Sequence, residues 1–203
     1  MSLALLAGLA ASYGAPVSAE DAFDAILALL SATSYTLRFA EDLEDVFPHV
    51  PFPISPELFG EAAALGREIR AVESFARPSG PAFLNRTVAR VETEATGVLH
   101  PSDWTEGELF LCANRTGRVT GINAAVWAFS VSGYRLVYRW LDARKGLPVD
   151  HALITSFRDL VGRIAELIDL FAHADHLLQR ALGATLSRAA LGLLAPEPIF
   201  ADD

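Results

Sequence analysis

Apolar and polar residues recur along this chain with two different periods, and the change of period organises it. From Ser18 the pattern is helical. Ser18 and Asp21 have the spacing of a capping box, with Asp in place of the usual Glu, and Phe23, Ile26, Leu27 and Leu30 follow at i, i+3, i+4 and i+7 as one apolar stripe. The run Ser31 to Ser34 predicts a break, and a second helix is expected from Tyr35 with Phe39, Leu43 and Val46 on one face. The segment Phe47-Pro48-His49-Val50-Pro51-Phe52-Pro53 should be extended, because its prolines fix φ and push the preceding residues out of helix. Ser55-Pro56 then opens a third helix, with Ser as N-cap and Pro in the first turn, and Leu58, Ala62, Leu65, Ile69 and Val72 facing one way. Arg77-Pro78-Ser79-Gly80-Pro81 reads as a loop.

Beyond that loop the period drops to two. Thr87, Ala89, Val91 and Thr93 alternate with Val88, Arg90, Glu92 and Glu94, which predicts a strand. Two more strands are expected over Glu108–Cys112 and Arg118–Ile122, joined by the turn Asn114-Arg115-Thr116-Gly117, and together they predict a small antiparallel sheet. Helices return after Gly133. Arg144-Lys145-Gly146-Leu147-Pro148 is a turn, and a long helix starts near Asp150 with Phe157, Leu160, Val161, Ile164, Leu167, Ile168 and Phe171 on its core face. Gly183 should end it, and the tail beyond Ala195 should fray. The expected class is α+β: a helix-rich lobe over residues 1–80, then the small sheet with long C-terminal helices over 81–203, unless the two close into one compact domain.

Composition narrows the chemistry. With 203 residues and 52% hydrophobic content the chain can bury a core without staples. The single cysteine, Cys112, excludes an internal disulfide and makes a cysteine-based zinc site remote, which suits a reducing cytoplasm. The apolar stretch Met1–Ala11 has no Lys or Arg before Arg38 and is too short to span a bilayer, so a packed helix is expected there rather than a signal peptide. No glycine-rich nucleotide loop, nucleophile elbow or Asn-Pro-Pro-aromatic methyltransferase motif is present, and Lys145 is the only lysine available to a nuclease site. Asp169, His173 and His176 share a helix face in a zinc-like constellation, but histidines are common on helix surfaces, so the expected reading is that helix's solvated polar side and no metal site. His49, His100 and His151 have no evident partners.

Two stretches carry a family resemblance. The first runs Ala19-Glu20-Asp21-Ala22-Phe23-Asp24-Ala25-Ile26-Leu27-Ala28-Leu29-Leu30, then Ser34-Tyr35, Phe39-Ala40-Glu41-Asp42-Leu43 and Phe47-Pro48-His49-Val50-Pro51. The second runs Val126-Trp127-Ala128-Phe129-Ser130-Val131-Ser132-Gly133-Tyr134, then Trp140-Leu141-Asp142-Ala143-Arg144-Lys145-Gly146. In order and spacing they resemble the C-terminal target-recognition (specificity) domain of type ISP restriction–modification enzymes and related adenine-specific DNA methyltransferases. Three positions depart from the family pattern: Thr36 and His49 stand where it has Arg, and Ser132 where it has Gly.

The resemblance implies a non-catalytic fragment of a longer enzyme that chooses the double-stranded DNA site. The parent's other domains would methylate adenine with S-adenosylmethionine, or translocate and cleave, with ATP and Mg where a motor is present. This chain would need no cofactor itself. The hairpin turn is either the base-reading element, since Asn114 could read adenine and Arg115 and Arg118 guanine with roughly 1–3 kcal/mol of discrimination per contact, or an ordinary solvated hairpin. Arg135, Arg139, Arg144 and Lys145 form the densest basic cluster and suit phosphates, although cations at a helix end also stabilise it. Trp127, Tyr134 and Trp140 are expected to pack as structural anchors, with Gly133 in a backbone role. Arg67 and Arg70 should make surface pairs with Glu68 and Glu73. The net charge of −9 opposes DNA binding, unless basic residues gather on one face or other domains supply the phosphate contacts, and it motivates the alternative of a protein–protein coupling module.

Overall fold

The structure, a computed structural model, describes residues 2–45, 49–77 and 89–193. The expected positions of Val46, Phe47-Pro48, the loop residues Pro78–Pro81, the strand residues Thr87-Val88 and the tail beyond Ala195 lie outside the described residues. In chain order the helices are α1 (Leu3–Tyr13), α2 (Ala19–Ser31), α3 (Thr33–Arg38), α4 (Asp42–Asp45), α5 (Pro56–Glu73), α6 (Ala124–Ala128), α7 (Leu136–Asp142) and α8 (His151–Ala181). The strands are β1 (Arg90–Val91), β2 (Leu109–Phe110), β3 (Arg118–Thr120), β4 (Ser130–Val131) and β5 (Tyr134–Arg135), which makes the class α+β. Among the described residues no helix is long and apolar enough to cross a membrane.

Contacts divide the chain into unit 1, residues 1–76 with 169–203, and unit 2, residues 77–168. This division differs from a single cut near residue 80, because α8 begins in unit 2 and ends in unit 1.

Unit 1 is built on capped helices. The Ser2 hydroxyl accepts from the Leu5 N–H and opens α1, and Gly14 closes it in the left-handed region at φ 67°. Ser18 accepts from the Asp21 N–H at 3.0 Å and so caps α2, and the Asp21 carboxylate accepts from the Ser18 hydroxyl at 2.7 Å, in place of the backbone N–H that a capping box would use. Ser55 caps α5, and Pro56 begins it. The buried face of α2 is not the stripe expected from its large residues. Ala22, Ala25, Ala28 and Leu29 are buried, and Phe23 is 50% exposed. The reason is a close approach by α5: a Cβ at Gly66 would overlap the Asp24 carbonyl oxygen, so only small residues fit on the facing sides. That approach also redirects Arg67 and Arg70. Their partners are Asp21, Asp24 and Glu20 on α2, not the glutamates on their own helix, and Asp24 is fully buried. The expected second helix is split into α3 and α4. Where described, the proline-rich segment is not helical and turns tightly, the Phe52 N–H donating to the Val50 carbonyl at 3.0 Å. It pairs with the chain after α8 through Ile54 N–H to the Ala184 carbonyl and Leu186 N–H to the Phe52 carbonyl.

Unit 2 holds an antiparallel three-stranded sheet in the order β1-β3-β2, with Arg90 opposite Thr120, Leu109 opposite Val119, and Phe110 opposite Arg118. The strands are shorter than the alternation suggests. Phe157 and Ile164 of α8 join Leu99, Leu109, Leu111, Val119, Ile122 and Leu141 in one buried core, with Cys112 also buried. Two elements were not expected from the sequence: α6, capped by the Asn123 side chain, and the β4–β5 hairpin. The hairpin turns through Ser132 at φ 50° and Gly133 at φ 79°.

Candidate nucleic-acid interface

The β2–β3 turn is already occupied by its own hydrogen bonds. The Asn114 amide donates to the Thr96 carbonyl at 3.1 Å, and its oxygen accepts from the Thr116 hydroxyl at 2.7 Å. Arg115 adopts φ 59° and lays its guanidinium 4.3 Å from the Phe110 ring centroid. Arg118 donates to Glu108 at 2.6 Å and to Glu92 at 3.2 Å. The Glu108 hydrogen bond and charge hold the Arg118 guanidinium more firmly protonated than usual, against an opposing effect of desolvation and with a lesser contribution from the Glu92 charge. A guanine would have to compete with these two carboxylates for the Arg118 guanidinium.

The β4–β5 hairpin and α7 present a different surface. Arg135 stands 5.1 Å from the Tyr138 ring centroid, and Arg139 stands 4.6 Å from that of Tyr134. Both tyrosines are exposed, Tyr134 at 58% and Tyr138 at 48%, and so are both arginines. Arg144 lies 4.1 Å from the Trp140 centroid and donates to the Trp140 carbonyl at 3.2 Å, while Lys145 is exposed at the end of the same segment. Among the described residues no salt bridge joins Arg135, Arg139, Arg144 or Lys145 to a carboxylate.

The aromatic residues separate by role. Trp127 stacks on Trp104 at 5.8 Å and 14°, and Trp140 tilts against the buried Phe157 at 5.6 Å, so both anchor the unit 2 core. Tyr134 departs from the anchoring expectation, because the two-residue turn points it outward. Gly133 serves the backbone: a Cβ there would meet nothing within 4 Å, but its φ of 79° is one that L side chains rarely adopt.

Charge is divided between the units. Unit 2 carries eleven Arg and Lys against nine Asp and Glu, a formal +2, whereas unit 1 carries five against sixteen, a formal −11. The overall −9 therefore conceals a mildly basic unit. From Leu109 to Leu141 the chain has no Asp or Glu and four arginines, Arg115, Arg118, Arg135 and Arg139. That carboxylate-free run is the sequence signal that would have pointed to Val131, Tyr134 and Tyr138 as surface residues beside cations. Asp169, His173 and His176 are exposed on α8, and among the described residues no group of three or more His, Cys, Asp or Glu comes together as a metal site.

The family model described as the Type ISP C-terminal specificity domain matches residues 2–166. No curated protein matches the chain. Among solved structures, the chain is similar to a nuclease-deletion mutant of the Type ISP restriction-modification enzyme LlaGI in complex with a DNA substrate mimic, at 14% identity and TM-score 0.48 over 81% of this chain and 14% of that one. It is similar to DrdV in a DrdV–DNA complex, at 22% identity and TM-score 0.46 over 96% of this chain and 20% of that one. It is also similar to the ATP-dependent Type ISP restriction-modification enzyme LlaBIII bound to DNA, at 14% identity and TM-score 0.48 over 81% of this chain and 11% of that one. The chain thus spans a fifth or less of the length of each of these solved chains.

Proposed function

The chain belongs to the Type ISP C-terminal specificity domain family, and from that membership we propose that it supplies sequence-specific double-stranded DNA binding to a larger restriction–modification enzyme, with no catalytic chemistry of its own. The observation that carries this reading is the match over residues 2–166 to a domain family whose role is specificity. The charge division supports it. The unit with the net positive charge also bears Arg135, Arg139 and Arg144, which have no carboxylate partner among the described residues and so suit phosphate. The parent enzyme would be a cytoplasmic adenine N6-methyltransferase using S-adenosylmethionine, joined to ATP-dependent motor and nuclease domains.

A second reading, a coupling module, has its own observation. Leu3, Phe23, Leu37, Ile54 and Phe75, all in unit 1, expose half or more of their surface. Exposed apolar side chains on an acidic unit suit a neighbouring protein domain better than a polyanion. The two readings assign different units and are compatible within one chain.

Exchanging this chain for the C-terminal domain of a Type ISP enzyme of known specificity tests the assignment. The exchanged enzyme is expected to modify a new site. An exchanged enzyme that still modifies the acceptor's original site would remove the DNA-reading role and leave the coupling role.

A further inference from the structure

We propose that the β4–β5 hairpin and the adjoining turn of α7 form the surface with which this chain grips duplex DNA, Arg135 and Arg139 holding backbone phosphates and the Val131–Tyr134 pair at the tip packing into the groove. The proposal rests on the DNA-specificity reading above and names the surface that performs it. It also moves the contact away from the β2–β3 turn.

Four observations converge on it. The first is shape. Val131 and Tyr134 face each other across the hairpin, and its turn passes through two residues in the left-handed region. Such a turn makes a narrow two-stranded ribbon, and B-DNA's major groove admits one. The second is exposure. Val131 is 53% exposed and Tyr134 58%, an apolar pair open to solvent at the tip. The third is the state of the cations. Arg67, Arg70, Arg118 and Arg180 are each held by a carboxylate, but Arg135 and Arg139 lie over tyrosine rings. A ring beneath a guanidinium fixes its plane and leaves its N–H edge open to an oxyanion, the pose that suits bidentate phosphate contact. The fourth is composition: no Asp or Glu occurs between Leu109 and Leu141, and the carboxylates that share a pocket with Tyr138, Asp103 and Asp142, share it with Lys145 as well. A protein partner would ordinarily meet arginines with carboxylates, whereas two exposed arginines beside an apolar tip suit the phosphates of a duplex with the tip left for the groove.

The test uses the 203-residue chain and two short fluorescent duplexes of unrelated sequence, with affinity measured from about 50 to about 200 mM salt. The double variant Arg135→Gln/Arg139→Gln should bind both duplexes more weakly. Its plot of log affinity against log salt should be shallower by roughly 0.9 for each phosphate no longer neutralised. Tyr134→Ala should weaken binding without altering that slope, because it removes apolar surface and no charge. Arg118→Gln, whose guanidinium already has two carboxylate partners, should leave the slope in place. Thermal unfolding of each variant shows whether the fold is intact, and neither arginine reaches the buried core. If the wild-type chain binds and the double variant keeps its slope, the surface is wrong and the domain-level reading stands. Weakening confined to one of the two sequences overturns the phosphate assignment. If the wild-type chain holds neither duplex at low salt, the surface falls together with DNA reading by this chain.

Discussion

Arg118 and Arg139 carry the same guanidinium into opposite surroundings, one between two glutamates and the other over a tyrosine ring. Spacing along the chain does not distinguish them. The Asn114–Arg118 turn has the right residue types for base reading, but its hydrogen-bonding groups are used internally through Thr96, a residue eighteen positions before Asn114. The sequence locates the cations and not their partners. The same holds for Arg70, whose partner Asp24 is buried on another helix. Arg70→Met should lower the thermal midpoint by several degrees, because it leaves a buried carboxylate without its main partner. The drop should shrink when Asp24→Asn is already present, and calorimetry in the two backgrounds would show whether it does. A pH signature sits on Tyr13. Its hydroxyl donates to the Pro53 carbonyl at 2.8 Å, and burial pushes it up to about 12 from an ordinary 10. Burial raises Tyr35 as well. The unfolded chain loses the Tyr13 proton at lower pH than the folded one, so the Tyr13 contribution is full below pH 10 and fades as pH rises through 12. Tyr13→Phe should be less stable by about 1 kcal/mol at neutral pH, from the missing hydrogen bond. Denaturant titrations should show that gap closing between pH 10 and 12.

At the scale of elements, the local signals that act within one turn were legible. Ser18 with Asp21, and Ser55 with Pro56, begin helices where the sequence places them. The buried face of α2 was not legible, because large apolar residues outweigh alanines in a periodicity reading. What decides the face is α5, which approaches so closely that Gly66 has no room for a Cβ. Gly66→Ala should therefore destabilise by about 1–3 kcal/mol, the range for overpacking, read as a lower denaturant midpoint at unchanged slope. The β4–β5 hairpin was missed because two-residue strands give alternation too little length to register. Its turn carries a visible cost: Ser132 sits at φ 50°, where the family pattern has Gly. Ser132→Gly, or Ser132→Asn, should stabilise the protein by up to about 1 kcal/mol, since both residues adopt the left-handed region more readily. A thermal midpoint that falls on either change would contradict the strain at this position.

At the scale of the whole molecule, two properties were hidden by averaging. The net charge of −9 is adverse to DNA only until the chain is divided, when the acidity falls almost wholly on unit 1. That division was itself obscured, because α8 runs from one unit into the other with an uninterrupted helical period. The order and spacing of the two motif stretches were legible in the sequence and resemble the family whose model matches residues 2–166. The central claim is that this chain reads DNA sequence. Incubating it with a randomised duplex library and sequencing what it retains tests that most directly. Enrichment of one defined motif is expected, and changing Arg135 and Arg139 together to Gln should lower retention of the whole library while leaving that motif the same. Retention of the library without enrichment, or no retention at low salt, would contradict the claim.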